Sequence, residues 1–208
     1  SMIDGADTTN EKGAIPNLLS QALAVSFDTN IGHDFLEQAE DRYDYYHRTE
    51  ERIPFDIEML NIITNGGLPK KTLNIILAGT GVGKTLMMCH FAAAHMMSGF
   101  NVLYITLEMA EERIAERIDA NVLNVDLDDL VKLDRDTYMD KMQRVGSRTH
   151  GKLIIREYPT ASVGAGNFRY LLNELRLKKG FKPDIVYVDY INICTSERLR
   201  KSASVDSY

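Results

Sequence analysis

Leu73-Asn74-Ile75-Ile76-Leu77-Ala78-Gly79-Thr80-Gly81-Val82-Gly83-Lys84-Thr85 decides how this chain reads. Five residues of mainly apolar character run into a glycine-rich turn, and a helix-like segment follows from Leu86 to Ser98. A strand, a flexible turn, a lysine and a hydroxyl at a helix start together make a loop that grips phosphate. The glycines let backbone N–H groups crowd around phosphate oxygens. The helix start adds about half a positive charge. In this reading Ala78, Gly79, Thr80, Gly81, Val82 and Gly83 wrap the phosphates, Lys84 reaches the terminal ones, and the Thr85 hydroxyl ligates Mg²⁺. Ala78 stands where such loops usually begin with glycine.

Working outward, strand and helix patterns alternate. The sequence predicts a strand at 72–78, a helix at 84–98 stopped by Gly99, and a strand at 101–107. A helix at 110–123 follows, then short helical pieces at 127–130 and 137–147. A strand at 153–157, a helix at 167–179 ended by Gly180 and Pro183, and a strand at 185–189 complete the run. Upstream, residues 55–64 read as a helix and Asn65 to Pro69 as a turn. Near-continuous apolar strands predict a parallel sheet covered by helices on both faces. Ligands of such sheets bind beyond the carboxyl ends of the strands. The glycine loop, Glu108 and Asp189 all fall at that end.

Bulk properties narrow the classes. The 208 residues carry a formal net charge of −6 and are 44% hydrophobic, which suits a folded α/β domain and not a protein coated in positive charge. The two cysteines, Cys89 and Cys194, lie in apolar runs without metal-ligand spacing and read as reduced core residues. No apolar run reaches membrane-spanning length. Ser1-Met2 reads as the remnant of a cleaved tag, and residues 1–13 as a flexible lead-in. Residues 14–50 read as a helical linker. In it, Pro16 to Val25 forms a short amphipathic helix whose apolar face covers either its own domain or a neighbouring subunit. A charged helix with Tyr43, Tyr45 and Tyr46 spans about 33–48. The core domain covers 51–208.

Single residues carry the chemistry. Asp189 closes the apolar run Ile185-Val186-Tyr187-Val188, as a strand-capping residue or, beside a phosphate loop, as an Mg²⁺-orienting carboxylate acting through water. Glu108 directly follows Leu103 to Leu107. It can polarise an attacking water or complement the next helix dipole, a niche that Glu111 and Glu112 already fill. Arg113, Glu116 and Arg117 have the spacing of surface ion pairs. His90 and His95 read as structural. Arg198, Arg200 and Lys201 form a basic cluster, either a solvated loop or a contact to a nucleic-acid backbone.

With these residues placed, the chain resembles the ATPase domain of the replicative hexameric DNA helicases of the DnaB type, most of all the T-even-type phage branch that works beside a primase. The likeness covers about residues 14–208. It is carried by residues 73–85, by Asn101 to Glu112 with its Leu107-Glu108-Met109, and by Arg117-Ile118-Asp119-Ala120-Asn121. Leu171 to Leu175, Val188-Asp189-Tyr190-Ile191 and the upstream Phe27 to Asp34 complete it. The resemblance implies a RecA-like P-loop fold, ATP with Mg²⁺ and a homo-hexameric ring on single-stranded DNA. It also implies primase and helicase-loader partners and work in the cytoplasm of an infected bacterial host. It assigns Lys84 and Thr85 to phosphate and metal, Glu108 to water activation, Asp189 to the Mg²⁺ shell, and the helix near Leu18 to the adjacent subunit. It places further strands, an arginine finger and most DNA loops after Tyr208, so the sheet is expected to be truncated and the chain alone to hydrolyse ATP poorly. The alternatives are a recombinase or ring-forming ATPase without unwinding, and an oligomerisation module with a vestigial site.

Overall fold

The computed structural model of the chain describes residues 32–48, 50–160 and 162–194. The helix expected near Leu18, the lead-in and the cluster Arg198, Arg200 and Lys201 lie outside the described residues. Contacts divide the chain into two units that meet in sequence between Glu50 and Glu51.

In the first unit, α1 spans Ala39–His47, shorter than the sequence predicts. The turn before it is tied by Asp34, whose Oδ1 accepts the N–H groups of Leu36 and Glu37. None of its residues is buried, and Tyr43, Tyr45 and Tyr46 are exposed, as a charged helix dictates.

The second unit holds the sheets. β1 (Arg52–Ile53) pairs antiparallel with β2 (Leu68–Pro69), and α2 (Glu58–Ile63) lies between them. The turn predicted at Asn65 to Pro69 thus ends in a two-residue strand. It passes through left-handed backbone at Asn65, Gly66 and Gly67. A side chain on Gly67 would put its Cβ 2.2 Å from the Ile53 carbonyl oxygen, so only glycine lets β1 and β2 approach.

The remaining elements are α3 (Lys84–Met97), β3 (Val102–Thr106), α4 (Glu111–Leu123), α5 (Leu127–Leu130), α6 (Arg135–Arg148), β4 (Leu153–Glu157), α7 (Ala165–Lys179) and β5 (Ile185–Asp189). A single 3-10 turn, Ile191–Ile193, follows β5. β3 is central and pairs in parallel with β4 on one side and β5 on the other. It is buried at every position, which is why Val102 to Ile105 read as a continuous run rather than alternating, with Thr106 the one buried polar residue at its tip. Its even residues, Val102 and Tyr104, face a core built with α3 and α4 through Phe91, Ala92, Ile114 and Ile118. Its odd residues, Leu103 and Ile105, face α7 through Leu171 and Leu175. The sheet is therefore parallel and covered on both faces, the α/β architecture expected.

The stretch that opened the sequence reading departs from expectation. Residues 72–79 form no strand. Leu73, Ile75 and Leu77 are 77%, 68% and 94% exposed, and Ile76 alone of these packs on the α3 core. An apolar run becomes a strand only when it joins a neighbour's ladder. The described sheet leaves the outer edges of β4 and β5 unpaired, but the run joins neither of them. Cys194 is half-buried and outside the core clusters, whereas Cys89 is buried as expected.

Candidate functional site

The carboxyl ends of the three parallel strands lie level. Thr106 at the tip of β3 is in register with Glu157 on β4 and Asp189 on β5. Asp189 is fully buried. Its Oδ2 accepts a hydrogen bond from the Tyr104 hydroxyl at 3.2 Å, and its Oδ1 has no partner among the described residues. Burying a carboxylate oxygen unpaired is costly, so an orphan of this kind marks a place for a water or a cation. A hard oxygen donor at a strand tip fits a hydrated divalent ion. Among the described residues no group of three or more His, Cys, Asp or Glu comes together, so such an ion would take most of its ligands from phosphate and water.

The turn that carries Glu108 is tightly held. The Leu107 N–H donates to the Asp189 carbonyl at 2.8 Å, and the Leu107 carbonyl accepts the Thr160 hydroxyl at 2.8 Å. The buried Thr106 hydroxyl donates to the Met109 carbonyl at 2.7 Å and accepts the Met109 N–H at 3.1 Å. Glu108 sits exposed between these anchors, next in sequence to the residue bonded to Asp189. The start of α4 is locked to β4 in the same way. The Glu111 N–H donates to Glu157, and the Glu157 N–H donates to Glu111.

The glycine loop approaches from the other side. Gly81 and Gly83 adopt positive φ of 75° and 102°, the left-handed backbone for which glycine is needed, and Gly83 caps α3. Lys84 and Thr85 therefore lie in the first turn of a helix, where free N–H groups point at whatever sits there. The Lys84 ammonium lies 4.0 Å over the ring of Tyr190, the residue after Asp189. The loop lysine thus reaches the tip of β5. Ala78 is half-buried, while Gly79, Thr80, Gly81 and Val82 are exposed. The structure brings Lys84, Asp189 and the Glu108 turn to one edge of the sheet, although the run leading into the loop is not a strand.

Sequence reasoning missed the supports. Tyr104, Thr106, Thr160 and Tyr190 received no role, although a tyrosine inside an all-apolar strand signals a hidden hydroxyl partner. Burial, aided by Cys89 and Asp189 nearby, pushes the Tyr104 hydroxyl far up, so it stays protonated and able to donate. Burial likewise raises the Cys89 thiol and lowers the His95 imidazole. The His95 Nε2 faces the Pro54 carbonyl at 3.0 Å and therefore carries the proton. Nδ1, 2.6 Å from the Tyr187 oxygen, accepts. Of the expected surface pairs, Arg113 bonds Glu116 at 2.9 Å, and Arg117 donates to the Met109 sulfur. His90 pairs with Asp56 at 2.7 Å.

Comparison with known proteins places this geometry. The DnaB-like helicase C terminal domain family matches residues 53–206. A DnaB-like replicative helicase of Enterobacteria phage T4 is 47% identical over 191 residues, which cover 90% of this chain and 40% of that protein. The chain thus spans well under half the length of that relative. Matched by the family profile over most of its length, and sharing nearly half its residues with the phage protein, this chain belongs to the DnaB-like helicase C terminal domain family.

Proposed function

We propose that this chain is part of the ATP-hydrolysing motor of a phage replicative DNA helicase, which translocates on single-stranded DNA as a homo-hexamer and unwinds duplex. The observation that carries this reading is the buried, unpartnered oxygen of Asp189 at the strand tip that Lys84 reaches through Tyr190. Backbone N–H groups of residues 79–85 and the Lys84 ammonium bind the phosphates. Thr85 and, through water, Asp189 hold Mg²⁺, which when bound supplies charge neutralisation on the phosphate oxygens. Glu108, on its clamped turn, orients a water in line with the terminal phosphate and takes its proton.

Residues 14–50 serve as the linker that docks on the adjacent subunit, and 51–208 as the RecA-like part of the motor. Arg198, Arg200 and Lys201 are assigned to the DNA backbone. Membership of a helicase family supports DNA as the track. Primase and a helicase loader are proposed as further partners, and the cytoplasm of an infected bacterium as the place of work. No described helix is long and apolar enough to cross a membrane.

The test is a pair of variants in the full-length gene product. Lys84→Ala is expected to abolish nucleotide binding, and Glu108→Gln to keep binding and stop hydrolysis. Normal turnover by Glu108→Gln would remove the role given to Glu108.

A further inference from the structure

Asp189 is served by one side chain that the motor reading leaves unused. Tyr104 lies on β3 in register with Tyr187 on β5, one same-face step before Asp189. In a parallel ladder that diagonal brings a long side chain within reach of its neighbour. The Tyr104 ring is fully buried and stacks on Tyr187 with centroids 5.9 Å apart at 22°. Tyr187 is pinned in turn by His95. The hydroxyl, fixed by this stack, donates to Asp189 Oδ2 and accepts a weak contact from the Cys89 thiol at 3.9 Å.

The consequence is a choice between two otherwise equivalent oxygens. Without a donor beneath it, the Asp189 carboxylate could turn either oxygen inward and would bury both unpaired. With Tyr104 in place, Oδ2 is committed and the buried Oδ1 is left without a hydrogen-bond partner among the described residues. We propose that Tyr104 is a positioning residue for Asp189, holding one carboxylate oxygen so that the other faces the water shell of the nucleotide's metal ion. This rests on the reading of Asp189 as an Mg²⁺-shell residue. Partners one step behind a metal-binding group typically change metal affinity by about 10–100-fold, and the low end suits an oxygen acting through water.

The experiment measures the affinity of the full-length gene product for a fluorescent, non-hydrolysable ATP analogue, with saturating MgCl₂ and with EDTA. The ratio of the two affinities is the metal enhancement. Tyr104→Phe keeps the ring and its stacking but loses the donor. It is expected to cut the enhancement by about tenfold and to leave the EDTA affinity unchanged. Cys89→Ala, which keeps the Tyr104 hydroxyl, is expected to leave both values unchanged. Asp189→Asn should lose the enhancement, and adding Tyr104→Phe to it should change nothing more. Equal weakening with and without metal by Tyr104→Phe would make its role structural and overturn the proposal. So would a full enhancement in Tyr104→Phe while Asp189→Asn loses it. A full enhancement in Asp189→Asn would overturn the metal role of Asp189 itself, and this inference with it.

Discussion

The two halves of the candidate site are built to different standards. The carboxylate half rests on β3 and β5, is buried beneath Asp189, and has Leu107, Met109 and Thr160 bonded around Glu108. The phosphate half is led in by residues 72–79, which have no ladder and expose Leu73, Ile75 and Leu77. Apart from Ile76, that half shares the core only from Gly83 onward, where α3 packs on the sheet. The acidic groups are thus positioned by packing before any ligand arrives. The loop's approach is set by little beyond its own glycines and the contact of Lys84 with Tyr190. Preorganised electrostatics on one side and an adaptable cradle on the other suit the nucleotide site proposed above, which would have to grip and release a phosphate group.

Hydrogen exchange would test this contrast most severely. Local opening ranges from near zero for unpaired segments to the global unfolding free energy for central strands. Amides of residues 73–77 are expected to exchange close to the unprotected rate, and those of Val102–Thr106 at least ~1,000-fold more slowly. Equal protection of the two stretches would show that the run to Leu77 is paired in solution and would erase the contrast. Truncation comes next in size. Leu103→Ala opens a cavity beneath α7 and is expected to cost about 3 kcal/mol. Leu77→Ala, at a 94% exposed position, should stay within about 0.5 kcal/mol. Urea midpoints at constant slope would report both.

The same contrast marks what was legible in the sequence. β3, β4 and β5 were readable because each sits in the packed half, where an apolar run has one fate. Residues 73–77 carry an equally apolar pattern, yet their structure depends on a partner strand that the local sequence cannot specify. The helix stop at Gly180 was legible because its left-handed cap, φ 59°, is a property of one residue. The pair β1–β2 was not, because two residues of ladder leave no periodic trace. Lys84, Glu108 and Asp189 announced themselves as charges at element ends. The hydroxyls of Tyr104, Thr106 and Thr160 did not, because their meaning lies in partners up to 85 residues away in the chain.

Within the packed half, Thr106 offers a sharper probe. Valine has nearly the same shape but no hydroxyl. Thr106→Val therefore leaves the Met109 N–H and carbonyl without the partner they share. A cost of about 2 kcal/mol is expected from the unmet groups. If the turn is what aims Glu108, hydrolysis should slow with nucleotide affinity unchanged. Unchanged turnover at the expected stability loss would confine Thr106 to folding.

A smaller effect than that of Thr106→Val concerns pH, and it too separates the halves, because His95 joins β5 to Pro54 within the packed one. Burial holds its imidazole below the ordinary value, so the folded chain keeps it neutral where the unfolded chain begins to protonate. Below about pH 6.5 the unfolded state then binds more protons, and stability falls with falling pH until the folded imidazole titrates too. Between pH 8 and pH 6 this one group removes up to about 0.8 kcal/mol. His95→Gln is less stable overall, because Tyr187 and Pro54 lose a fitted partner, but its stability difference between those two pH values should shrink by that amount. Chemical denaturation at both pH values checks it. A pH dependence identical to the parent's would mean that His95 opens to water in solution, and the packing beneath Asp189 would then be looser than its burial implies.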